Sequence, residues 1–129
     1  MEERQNFNTT KVPRSNTVFP QAVIVGNFIF LSGTTGVNPE TGKLVSNDFE
    51  GQAMQVFTNI KTILEEAGSS LQQVVKTTIF MVAGNDDDFS RINKVYNHFF
   101  PDNAPARSAP QVMPFPGGIL VSVECIATI

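Results

Sequence analysis

Two charged residues stand out in the last quarter of a chain that is sparing of charge, with only 16% Asp, Glu, Lys and Arg. Arg107 lies in NAPARSAP, among small residues and prolines, and Glu124 lies in ILVSVECIAT, a strand-like and mostly apolar run. Alternation along that run puts Ile119, Val121, Val123, Cys125 and Ala127 on one face and Leu120, Ser122, Glu124, Ile126 and Thr128 on the other. A carboxylate beside Leu120 and Ile126 is costly on a dry face, so either that face is wet or a cation or bound ligand partners Glu124. Arg107 offers a planar fork that grips a carboxylate through two parallel hydrogen bonds, a geometry lysine does not copy, although an ordinary surface arginine would look the same in sequence. A hairpin through PFPGG would fold the strand starting at Arg107 back against the one bearing Glu124, so that both line one cleft. The chemistry this pair suggests is a carboxylate-binding site with an acid/base group beside it.

Other chemistries lack their parts. There is no Gly-rich phosphate loop and no CxxC, and His98 is the single histidine. Metal clusters and Ser/Cys–His nucleophile arrangements therefore have too few members, and His98, beside an apolar stripe, reads as a structural or surface residue. Net charge is −3 with a pI near 5.0, and the nine Lys and Arg are scattered, so the basic stripe of a nucleic-acid binder is missing. The amino-terminal MEERQNFNTTKVPRSN has few apolar residues and no apolar core of the kind a secretory signal needs, no run is long enough to span a membrane, and the lone Cys125 forms no internal disulfide. A cytoplasmic protein in a reducing compartment is the expectation.

The elements that must position the pair follow from periodicity. With 129 residues the chain is expected to form a single domain, 1–129, with residues 1–16 as a mobile or loosely attached lead-in. FPQAVIVGNFIFLSG reads as a β-hairpin turning at Gly26-Asn27, and TTGVNPETGKLV as a loop or short edge hairpin. Asn47 with Glu50 resembles a capping box opening a helix whose apolar face is Ala53, Val56, Phe57, Ile60, Ile63, Leu64 and Ala67, with Gly68 as its C′ residue. VVKTTIFMV, residues 74–82, is a strand. A second helix follows the acidic cluster Asp86-Asp87-Asp88, with Phe89, Ile92, Tyr96, Phe99 and Phe100 as its buried stripe and Pro101 as its stop. The order predicts an α+β fold, a mixed sheet with both helices on one face. The other face keeps apolar residues that self-association would cover.

In order and spacing, GNFIFLSGTTGVNPETGKLV, a helix ending in LEEAG, VVKTTIFMV, DDFSRINKVYNHFF, APARSAP and VSVECIA resemble the RidA/YjgF reactive-intermediate deaminase family, also known as L-PSP endoribonucleases or translation inhibitors. The resemblance covers the chain from about residue 13. It implies a chorismate-mutase-like fold and a homotrimer with a ligand cleft at each subunit interface. It also implies hydrolysis of 2-aminoacrylate-type enamines and their 2-imino acid tautomers, made by pyridoxal-phosphate-dependent dehydratases, to 2-keto acids and ammonia, without a cofactor or metal of the protein's own. By the same resemblance Arg107 binds the substrate carboxylate and Glu124 positions or activates water. Phe19, Ser32, Gly33, Asn93 and Pro116 would line the substrate site. Three positions depart from the family pattern. Phe19 stands where tyrosine is usual, Thr34 where glutamine is frequent, and Ala109 where a cysteine is common. Two other readings compete: a non-catalytic 2-keto acid binding or sensor protein using the same cleft, and the ribonuclease or translation-inhibitor role, which the acidic composition disfavours.

Overall fold

The computed structural model describes residues 3–14 and 17–129. Gly26, at φ 56°, makes the tight reversal that joins strand β2 (Ala22–Val25) to β3 (Phe28–Thr34), as the Gly-Asn dipeptide predicts. The lead-in is less loose than expected. Residues 1, 2, 15 and 16 lie outside the described residues, but Arg4–Phe7 forms strand β1, antiparallel to β2 with Phe7 opposite Ala22. RQNF carries one apolar side chain, Phe7, partly buried against the core, so its order comes mainly from backbone pairing with an open edge, and binary patterning does not register it.

Helix α1 (Phe49–Glu66) buries the expected face, and its chain leaves through Gly68 at φ 88°. Its cap is Asp48 rather than Asn47: the Asp48 carboxylate accepts from the Gly51 N–H at 2.8 Å, and that bond holds its pKa below the ordinary value. A carboxylate suits the positive helix end better than a neutral amide, which accounts for the one-residue shift. Two polar side chains, Gln52 and Asn59, share the buried face at 0% and 1% exposure. Asn59 Nδ2 donates to the Thr35 and Val37 carbonyls, and Gln52 Nε2 donates to those of Ser46 and Gly118. The helix thereby clasps two loops through its core side.

Strand β4 (Val74–Val82) follows. The acidic cluster does open helix α2 (Ser90–Phe99): the buried Asp86 carboxylate accepts from the Arg91 and Ile92 N–H groups, and Asp88 Oδ1 accepts from Ser90. Ile92, Tyr96 and Phe100 are buried with Val95, while Phe89 and Phe99 pack partly buried around them. Short strands β5 (Ala106–Ser108) and β6 (Gln111–Val112) precede a 3-10 turn at Pro116–Gly118 and the last strand, β7 (Val121–Thr128).

All seven strands form one sheet in the order β1-β2-β3-β7-β4-β5, with β6 also on β4. The expected hairpin through PFPGG does not form. Both β5 and β6 run parallel to β4, which separates them from β7. The nine-residue β4 offers two hydrogen-bonding edges; β7 takes one, and the Pro- and Gly-containing connection carries the chain across from the other. The expected fold is otherwise present, a mixed sheet with both helices on one face, where Ile29, Ile79, Val121 and Val123 meet Val56, Phe57 and Ile60 with at most 1% exposure. On the opposite face Phe28 and Phe30 remain 45% and 41% exposed. No helix among the described residues is long and apolar enough to cross a membrane.

Replacing Asn59 with leucine keeps the volume but strips donors from the Thr35 and Val37 carbonyls. The expected loss is about 2–4 kcal/mol, the scale of two partly buried acceptors left unpaired. Urea denaturation measures it, and unchanged stability would show that the clasp is not what secures the loop.

Candidate active site

Between β3 and β7 the register slips: Leu31 faces Cys125, but Thr34 faces Val123. Three steps on β3 match two on β7, a β-bulge at Ser32-Gly33, and Glu124 is the residue opposite it. A Cβ on Gly33 would stand 2.8 Å from Ser122 Oγ, so any larger residue there would have to turn that hydroxyl aside. The bulge also anchors the incoming chain. Ser32 N–H donates to the Gln21 carbonyl at 2.9 Å and its hydroxyl to the Pro20 carbonyl at 2.7 Å. Gln21 in turn is stapled to the amino-terminal segment, with Nε2 donating to Val12 and Oε1 accepting from Thr9.

These bonds shape a cleft, partly open to solvent, walled by Phe19, Pro20, Ser32, Gly33, Thr34 and Arg14 among others. The structure thus brings Phe19, Ser32 and Gly33 together, with Glu124 across the ladder from the bulge. Thr34, at the position where the resemblance favours glutamine, is buried and gives its hydroxyl hydrogen to the Ser32 carbonyl, so its polar group is used within the bulge. Glu124 is exposed on the open face and joins no ion pair among the described residues. Lys76 shares that face, but its ammonium donates to Ser108 Oγ at 3.1 Å.

Arg107 is elsewhere. It pairs with Thr77, which on its other side pairs with Cys125, whereas Glu124 pairs with Thr78. Adjacent strand residues point to opposite faces, so Arg107 lies on the helix-covered side and Glu124 on the open side. Nor does Arg107 line the cleft of Phe19 and Ser32, since two strands intervene. Its guanidinium lies over the Tyr96 ring, with Cζ 4.9 Å from the centroid, and among the described residues it donates no hydrogen bond and joins no ion pair. Asn93, exposed on α2, and Pro116, exposed at the 3-10 turn, also lie outside the cleft. Gln52 secures that turn, taking the Leu120 N–H on Oε1 while donating to Gly118. His98 is exposed, with its ring edge-on to Phe99.

Sequence reasoning passed over Gln52, Asn59 and the hydroxyl of Tyr96. The signal was available for each: two amides at helical spacing within an apolar stripe, and a tyrosine whose O–H must find a partner once buried.

The model of the endoribonuclease L-PSP family matches residues 9–129. The chain belongs to this family. A RutC family protein of Pyrococcus abyssi is 44% identical over 119 residues, spanning 92% of each chain. The human 2-iminobutanoate/2-iminopropanoate deaminase is 37% identical over 96% of this chain and 89% of its own. Among solved structures, E. coli TdcF with bound serine superposes with a TM-score of 0.87 at 33% identity, covering 97% of this chain and 98% of that one. The family's RidA/YjgF branch is the one the motifs resemble, and the fold agrees with it.

Cys125, next to Glu124 but turned into the core, has its thiol pushed up to about 12, by burial first and by the Glu124 charge second. Native protein should therefore resist alkylation at mildly alkaline pH, while the urea-unfolded chain reacts freely. Because the folded value lies above the ordinary one of 9.0, the unfolded chain ionises first, and stability should decline as pH rises from about 9 to about 12. Fast labelling of the native state would place the thiol at the surface.

Proposed function

We propose that this protein is a cytoplasmic enamine/imine deaminase that converts 2-iminobutanoate- and 2-iminopropanoate-type intermediates from pyridoxal-phosphate-dependent dehydratases to 2-keto acids and ammonia, without a cofactor of its own. The observation that carries the reading is Arg107: a guanidinium with no hydrogen-bond acceptor in its own chain among the described residues, held over an aromatic ring. Its N–H groups are open to a carboxylate. In this reading Arg107 clamps the substrate acid and Glu124 takes a proton from a water as that water adds to the imine carbon. Glu124 returns that proton to the imine nitrogen to give the neutral carbinolamine, whose hydroxyl proton then passes to the same nitrogen as the C–N bond breaks, the carbonyl forms and ammonia leaves. The imine carbon is already electrophilic, so positioning supplies much of the required rate.

Within one chain Arg107 and Glu124 stand on opposite faces, so the reading requires a homotrimer in which the Arg107 edge of one copy meets the Glu124 and Ser32-Gly33 face of the next. The half-exposed Phe28 and Phe30 on that face support such packing. Asn93, Pro116 and Phe19 would complete the walls. A relative named as a 2-iminobutanoate/2-iminopropanoate deaminase and a neighbour holding serine agree with a small amino- or imino-acid ligand. The absent Phe19 hydroxyl and the engaged Thr34 hydroxyl favour one second reading, a 2-keto acid binding protein without turnover.

A coupled assay with serine or threonine dehydratase separates the two, since a sensor binds keto acid yet leaves ammonia release at the spontaneous rate. Arg107→Lys, which keeps charge but loses the fork, should lower keto acid affinity and activity by roughly tenfold or more. Glu124→Gln should keep affinity while turnover falls roughly 10²-fold. Light scattering should give three times the 14.1 kDa chain mass, and a monomer at micromolar concentration would remove the shared site.

A further inference from the structure

An arginine that waits for a ligand without a partner of its own is floppy unless something else aims it. Here the Arg107 guanidinium rests over the ring of Tyr96, at 4.9 Å, within the roughly 6 Å over which a cation is held by a ring face. That ring is itself immobilised from three sides. Its hydroxyl donates to the Pro105 carbonyl at 3.2 Å and lies 2.8 Å from Thr77 Oγ1. A phenol has one proton, so Thr77 is the donor in the second bond. The Phe57 ring meets it edge-on at 5.9 Å, and Phe100 packs at 4.8 Å.

The partners are not arbitrary. Thr77 is the β4 residue paired with Arg107, and Pro105 lies two residues before it, so Tyr96 pins both the strand under Arg107 and the backbone entering it. We propose that Tyr96 is the positioning residue for Arg107: one face of its ring seats the guanidinium, so that the N–H edge is presented to the ligand carboxylate in a fixed direction. Ring attraction acts through the face of the cation and the carboxylate fork through its in-plane N–H groups, so the two do not compete. Burial raises the Tyr96 pKa, so the phenol keeps its proton and donates it to the Pro105 carbonyl. The inference rests on the carboxylate-clamp reading of Arg107 given above.

The test measures 2-ketobutyrate affinity by calorimetry and deaminase kinetics for Tyr96→Met, which fills the space without a π face, Tyr96→Phe, Arg107→Gln and the double variant Tyr96→Met/Arg107→Gln. Tyr96→Met should weaken affinity and raise KM by roughly tenfold with kcat changed much less, while Tyr96→Phe, which keeps the ring face, stays within about threefold of wild type. In the Arg107→Gln background Tyr96→Met should add less than about twofold, because the coupling disappears with its target. A folded Tyr96→Met protein with wild-type affinity, or one whose loss persists undiminished without Arg107, overturns the proposal. Should Tyr96→Met not fold, Tyr96→Phe decides: a tenfold loss there would mean that the ring face is not what aims the arginine. Wild-type affinity in Arg107→Gln would instead remove the carboxylate clamp itself, an outcome distinct from every failure of Tyr96.

Discussion

The antiparallel ladder between β4 and β7, running from Val74 opposite Ala127 to Met81 opposite Val121, is the constraint on which the remaining arrangement depends. Strand side chains alternate, so this register decides that Cys125 and Val123 face the helices while Glu124 faces away. A slip of one residue would drive the carboxylate into the core and bring Ser122 and Ile126 with it. The same β4 residues set the far edge: Thr77 pairs with Arg107 and Thr78 with Ser108. One strand therefore dictates where both charged groups of the proposed site stand, although it contributes neither.

The sheet has helices for one face only. The other presents Phe28 and Phe30 along with Glu124, an arrangement that is tolerable in water but strained in purpose for a monomer, because apolar surface asks for cover and a carboxylate asks for water or a cation. In the proposed trimer a neighbouring subunit would cover the phenylalanines, while the cleft it completes would leave Glu124 in reach of water. A copy docked so as to seal that cleft would bury Glu124 without compensation, so the carboxylate also discriminates among packings.

Much of this was legible from residue types. The Gly26 turn, both helices, the Gly68 exit and the alternation that sets Glu124 against its neighbours all follow from local chemistry, and local chemistry survives folding. The PFPGG expectation failed because turn residues report that the chain changes course without reporting which strand it meets. β5 instead found β4, some thirty residues earlier in the chain and parallel to it, a pairing no short window contains. β1 was missed for a related reason, being held by backbone pairing that side chains do not advertise. The bulge that sets Glu124 opposite Ser32-Gly33 is a count of three against two across two distant strands, visible only when both are laid side by side.

Gln52 and Asn59 have a further consequence for how the molecule moves. Each fastens a loop by hydrogen bonds that end in the protein interior, one holding the Gly118–Leu120 connection and the other the chain after β3. For either loop to swing away, a buried amide must give up its partners where no solvent waits to replace them. Such excursions cost more than those of a loop whose carbonyls face solvent. The Leu120 N–H, held by Gln52 Oε1, exchanges correspondingly slowly.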